Sequence, residues 1–237
     1  MRLIEGEIDK LKIKIFDMAE LVQLQFDLLA QAMHHPDPKL ASKIKQKEQE
    51  IDSFDNKIDK RCARILALYH PVADDLRFVF STLKVNSMLE QIGDLINFTA
   101  RKAIALSEPI DPDFLEELHQ LEMVKQTNEI LTTSLNAFFT RNTELARSVF
   151  DMDDRVDELY HRAFDKISER LEANPAHARD YLNLCMIFKT MEKIADFGID
   201  ISKETIFMID AVVYKHRQLH LGASDAETSG SPLEDAS

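Results

Sequence analysis

The sequence predicts an all-α protein made of two tandem three-helix bundles related by an internal repeat, with an acidic tail behind them. Three observations predict it. Prolines punctuate long proline-free stretches, apolar residues recur at alternating spacings of four and three, and one half of the chain can be laid over the other. Only 5 Gly and 7 Pro occur in 237 residues, which is too few for a turn-rich all-β fold, and no run alternates at period two for long.

Proline costs about 3 kcal/mol inside a helix, so its positions mark the breaks. Pro36 and Pro38, Pro71, Pro109 and Pro112, and Pro175 divide the chain into helices expected at 3–35, 38–69, 72–107, 112–141, 143–173 and 175–220. The first carries the clearest seam: Ile4, Ile8, Leu11, Ile15, Met18, Val22, Gln25 and Leu29, with Gln25 its one polar member. The third continues the pattern with Leu76, Val79 or Phe80, Leu83, Asn86 and Glu90. The fourth does so with Leu118, Leu121, Val124, Asn128, Leu131, Leu135 and Phe138, capped by Asp111 or Asp113. Between the fourth and fifth, Asn142 precedes Thr143 with no Pro or Gly to enforce the break. His216, Arg217 and His220 complement the dipole of the sixth. These elements group as 1–108 and 109–221. Residues 222–237, GASDAETSGSPLEDAS, carry four acids and no base and read as a disordered tail.

Composition narrows the function. Forty-two acids against 29 bases leave a net charge of −13, the wrong sign for gripping a phosphate backbone, so no nucleic-acid binding is expected. No segment reaches the roughly 18 uncharged apolar residues of a spanning helix, and the N-terminus lacks a signal core, so the expectation is a cytoplasmic protein without membrane insertion. Cys62 and Cys185 lie far apart with no Cys-x-x-Cys spacing and read as buried thiols in a reducing compartment. There is no glycine-rich phosphate loop and no Ser-His-Asp or Cys-His spacing that suggests nucleophilic catalysis.

The repeat locates the chemistry. KEQEIDSFDNKI, around Glu48 and Asp52, aligns with DMDDRVDELYHRAF, around Asp153 and Asp157, at a displacement of 105 positions. LKVNSMLEQIGD, ending at Glu90 and Asp94, aligns with MIFKTMEKIAD, ending at Glu192 and Asp196, at a displacement of 102. Each half therefore has an acidic pair on its second helix and another on its third.

An acid four residues from an Asp puts two carboxylates on one helix face, where they can grip a cation while a second helix completes the shell. At this acidity about four such pairs are expected by chance, since charge runs are usually solvated helix faces. Seven occur: Glu5/Asp9, Glu48/Asp52, Asp55/Asp59, Glu90/Asp94, Asp153/Asp157, Glu192/Asp196 and Asp196/Asp200. Four of them occupy equivalent places in the two halves. Glu90 also continues the Leu76–Leu83 seam, and like charges at this spacing cost a helix about 0.2–0.5 kcal/mol unless neutralised. Oxygen-only donors suit magnesium, calcium, manganese or iron, and no His lies within the pairs, which disfavours structural zinc. The halves differ: Glu48, Asp52, Asp55 and Asp59 form a stripe whose counterparts are Asp153, Asp157, Tyr160 and Phe164. The two sites are therefore not identical, and the first can hold more cation charge.

The segments HPVADDLR (70–77), LEQIGD (89–94) and MEKIADFGIDISKE (191–204) resemble the PhoU family of bacterial phosphate-uptake regulators. The resemblance spans residues 1 to 215, including helix order and the tandem repeat. Departures are Gln91 where a basic residue is usual, Phe98 (with Asn97 beside it) where Asn or Asp is usual, and Lys189 where Arg is common. The resemblance implies two three-helix bundles with multinuclear metal sites, whose ligands carried over by position are Glu48, Asp52, Glu90, Asp94, Asp153, Asp157, Glu192 and Asp196. The metal it implies is a divalent or trivalent ion: iron, manganese, magnesium or zinc. It further implies a cytoplasmic homodimer at the inner-membrane face, a regulator and not an enzyme. Its partners would be the ATPase of a phosphate ABC transporter and a sensor histidine kinase, and it would restrain uptake and the phosphate-starvation response.

Two other readings stand beside it. Glu116-x-x-His119 and Glu158-x-x-His161 match the spacing of a ferritin-like di-iron carboxylate site, although they are not equivalent in the repeat. A metal-free helical interaction module would use the Ile4–Leu29 seam to pair with another chain.

Overall fold

The computed structural model describes residues 3–35, 37–106 and 110–213. Among these, eight α-helices and one short 3-10 turn account for the regular structure, with no strand. Helices α1 (Leu3–His34), α2 (Pro38–Tyr69) and α3 (Ala73–Ile104) form the first bundle. The second comprises α4 (Pro112–Glu117), α5 (Gln120–Thr140), α6 (Thr143–Ser148), α7 (Phe150–Ala173) and α8 (Ala178–Asp210), with the 3-10 turn Pro175–His177 between the last two.

Local chemistry explains the boundaries. Asp37 caps α2 by accepting from the Lys39 amide, with Pro38 in the first turn, where no N–H is required. His70 closes α2 in the left-handed region immediately before Pro71. Asp74 and Asp75 open α3 while Arg101 and Lys102 close it, each matching the helix dipole. Asp111 caps α4 and Asn142 caps α6, the latter accepting from the Leu145 amide at 3.0 Å.

Three expected elements are corrected. The helix expected over 112–141 is interrupted at Leu118–His119, where His119 turns left-handed at φ 52° and starts α5. The helix expected over 143–173 is interrupted at Val149. The last helix does not run to 220: it ends at Asp210, with Ala211 left-handed at φ 57°, and residues 211–213 are non-helical. His216, Arg217 and His220, like the tail 222–237, lie outside the described residues.

The α1 seam is core. Leu11, Ile15, Met18, Val22, Gln25 and Leu29 are all fully buried, and burial of each large aliphatic side chain contributes about 1.5–3 kcal/mol. Gln25 keeps its place by donating to the carbonyls of Ile44 at 3.2 Å and Gly93 at 3.1 Å, tying α1 to α2 and α3. On α3 the core line is Val79, Thr82, Val85, Asn86, Leu89 and Ile92, whereas Leu76, Leu83 and Glu90 flank it half-buried and Phe80 faces solvent. Leu121, expected in the α5 seam, is also exposed. Cys62 is buried as expected, but Cys185 is only half-buried.

Helices α3 and α8 pack on each other and join the halves, so one apolar core runs through both. Polar ties cross the same boundary. Lys84 pairs with Glu204 at 2.7 Å, Arg77 donates to the Met208 carbonyl at 3.1 Å, and Gln23 donates to Asn128 at 2.9 Å. No helix among the described residues is long and apolar enough to cross a membrane.

Candidate functional site

The repeat places equivalent acids on equivalent helices: Glu48 and Asp52 on α2 with Glu90 and Asp94 on α3, then Asp153 and Asp157 on α7 with Glu192 and Asp196 on α8. In both halves the paired helices pack side by side. The two faces nonetheless differ in what surrounds the carboxylates.

In the first half, Asp52, Glu90 and Asp94 each bring one carboxylate oxygen to within 4.8 Å of the others. Glu48 stands beside them. Burial pushes its carboxyl above the usual range, the charges of Asp52 and Asp94 push it further, and the Asn97 amide partly offsets them. Burial, and then Asp94, likewise raise Asp52. Glu90 is raised by burial first, then by Asp94, Asp55, Asp52 and Glu48. None of Glu48, Asp52, Asp55, Asp59, Glu90 and Asp94 makes an ion pair among the described residues. Asp55 and Asp59 are instead bridged by the buried Asn86, whose amide donates at 2.7 and 3.0 Å. Two unit charges 4.8 Å apart repel by about 1 kcal/mol even in water, so this face is short of positive charge.

The donor set fits a hard cation. Three carboxylates from two helices converge at single-ion distance, with a fourth adjacent and no competing lysine or arginine. Such an ion would neutralise the face and link α2 to α3.

In the second half, Asp153 is raised to about 6 by burial, then by Asp157, Asp196 and Asp154, with Lys203 opposing. Three lysines answer the acids: Lys189 holds Glu192 at 2.7 Å, Lys193 holds Asp196 at 3.2 Å and Lys203 holds Asp200 at 2.9 Å. Lys189 also lies over the Tyr160 ring, 4.9 Å from its centre. At the 102 displacement, the first two of these lysines correspond to Ser87 and Gln91. Asn86 and Asn97 correspond to Phe188 and Ile199, both buried. Among the described residues, the second-half carboxylates do not converge three at a time as Asp52, Glu90 and Asp94 do.

Sequence reasoning missed Asn86 and Asn97 as groups that receive the carboxylates, and it missed the lysine pairings. The signal for the lysines was available, because each sits three residues from its acid on the same helix. The ferritin-like pairs are not assembled. His119 lies in the break before α5, 3.6 Å from Glu122, while His161 faces the Asp157 carbonyl at 2.8 Å and Glu158 is held by Arg155 and Arg162. No group of three ligand atoms among the described residues includes any of them.

Comparison with known proteins agrees with this architecture. The model of the PhoU domain matches residues 5–103 and again residues 121–205, one match per half. A phosphate-specific transport system accessory protein PhoU homolog from Aquifex aeolicus is 30% identical over 215 residues, 90% of this chain and 96% of that protein. A homolog of the same description from Pseudomonas putida is 28% identical over 98% of this chain and 89% of its own length. Among solved structures, PhoU from Pseudomonas aeruginosa superposes with a TM-score of 0.82 at 26% identity, covering 88% of this chain and 99% of that one. The phosphate transport system regulatory protein PhoU from Streptococcus pneumoniae gives 0.80 at 25% identity, covering 90% and 99%. With both halves matched, the chain belongs to the PhoU family.

Proposed function

We propose that this chain is an accessory regulator of a phosphate transport system. It restrains phosphate uptake and the phosphate-starvation response through contacts with the transporter's ATPase and a sensor histidine kinase, and it catalyses no reaction. The observation that carries this reading is the PhoU-domain match in each half, supported by relatives of nearly equal length that are described as accessory to phosphate-specific transport. It works in the cytoplasm at the membrane face, as a homodimer.

In this reading a bound cation is structural to signalling. Held by Asp52, Glu90 and Asp94 with Glu48 beside them, it fixes the α2–α3 face shown to partners. The convergence of these carboxylates without a protein cation supports a divalent or trivalent metal there, iron, manganese, magnesium or zinc. Asp153, Asp157, Glu192 and Asp196 form a second site in which lysines share the neutralisation, so it takes metal less tightly.

Deleting the gene in its own host and assaying alkaline phosphatase in phosphate-rich medium tests the regulatory role. Derepression reversed by a plasmid copy is expected. Continued repression in a host with no second copy of the family contradicts it.

A further inference from the structure

A groove of about 420 Å³ opens where α1, α3, α5 and α8 meet, on the boundary between the halves and away from the acidic faces. Phe78 and Met208 form its buried floor, while Ile13 and Phe16 stand at its mouth, 61% and 46% exposed. Its rim carries two cations: Lys12 lies over the Phe78 ring and is already paired with Asp9 at 3.2 Å, whereas Arg141 has no carboxylate partner among the described residues. An apolar cleft with flanking cations suits a short segment that carries an apolar residue next to acids.

The chain itself supplies such a segment. Met208 lies two residues before the end of α8, Ala211 turns the backbone left-handed, and residues 214–237 follow from there. Within 223–237 are Asp225, Glu227, Glu234 and Asp235 and no base, and the one large apolar residue is Leu233, directly before Glu234 and Asp235. Leu233 follows Val213 by 20 positions, and at about 3.4 Å per extended residue that reach goes far beyond a groove that starts beside α8.

We propose that residues 223–237 of this chain occupy the groove, with Leu233 on the apolar floor and Glu234 and Asp235 against Arg141. A tethered segment meets its site at about millimolar effective concentration, so a contact of only millimolar affinity fills the groove about half the time. Occupancy ties α1 and α3 to α5 and α8 and excludes any partner that would use the same cleft. The inference is independent of metal and of the regulatory role.

The chain has no Trp, so I13W places a single reporter at the groove mouth. Acrylamide quenching of that indole is compared in the full chain and in a chain ending at Gly222. About twofold stronger quenching is expected on truncation, as half occupancy implies. Strong quenching is also expected in the full chain after L233A, after R141E, or in high salt. A synthetic 222–237 peptide at millimolar concentration should restore protection to the truncated chain. Should I13W perturb folding, the Met208 methyl resonance in the unsubstituted full and truncated chains provides the same comparison. Equal quenching and an unmoved Met208 resonance would overturn the proposal, as would protection that appears only with rising protein concentration, which would place a second copy in the groove.

Discussion

Replacing Asp94 with Asn separates a cation site from a solvated acidic surface, because the two predict opposite signs. In metal-free protein the substitution removes a charge whose carboxylate lies within 4.8 Å of both Asp52 and Glu90. Each repulsion is about 1 kcal/mol in water and is roughly halved by screening at physiological salt, so D94N should stabilise the chelated protein by about 1 kcal/mol in all. For a chain of this size that raises Tm by about 2–4 °C. With metal at a hundredfold over Kd, the wild type gains about 2.7 kcal/mol, while the variant, one ligand short, gains much less. The curves therefore cross: D94N melts above wild type in chelator and below it in metal. The assay is thermal denaturation with and without added Mn²⁺ or Fe²⁺. A variant more stable than wild type under both conditions would refute the cation site.

Other outcomes follow from the same geometry. K189S and K193Q together import the first-half residues into the second and should raise its metal affinity, measured by calorimetric titration. Asp153 titrates at about 6 instead of its ordinary 3.8, so the native state favours its protonated form. Its contribution to stability is full below pH 3.8 and is lost as pH rises through 6, and D153N should flatten that part of the metal-free Tm–pH profile. A Cβ at Gly198 would meet Ile130 Cγ2 at 2.6 Å, whereas one at Gly93 meets its nearest atom, Ile51 Cδ1, at 3.2 Å. G198A should therefore cost about 1–3 kcal/mol by urea denaturation, and G93A should be close to neutral because helix propensity offsets the crowding. Burial raises the Cys62 thiol to about 12, so it should resist alkylation at pH 8 until the protein unfolds, while the half-buried Cys185 labels first.

Much of the fold was legible because proline enforces breaks that a single sequence displays. Pro38, Pro71 and Pro112 place the starts of α2, α3 and α4 within two residues. The breaks at His119 and Val149 carry no such marker, and neither does the end of α8 at Ala211. Each depends on packing or on a left-handed non-glycine residue that composition does not announce. The site was half legible. Spacing and repeat place Asp52, Glu90 and Asp94 on facing helices, but only three-dimensional register shows that these three converge. The departure of the second half rests on Lys189 and Lys193, which stand where the first half has Ser87 and Gln91, and their spacing of three from Glu192 and Asp196 was there to be read.

The proposed cation lies between α2 and α3 in the first half. Metal content per chain, measured by mass spectrometry on untagged protein purified without chelator, tests it most directly. Wild type should carry at least about one ion per chain, and D52N/D94N should lose it while staying folded. Equal metal in the two proteins, or none in wild type after incubation with Mn²⁺ and Fe²⁺, would contradict it.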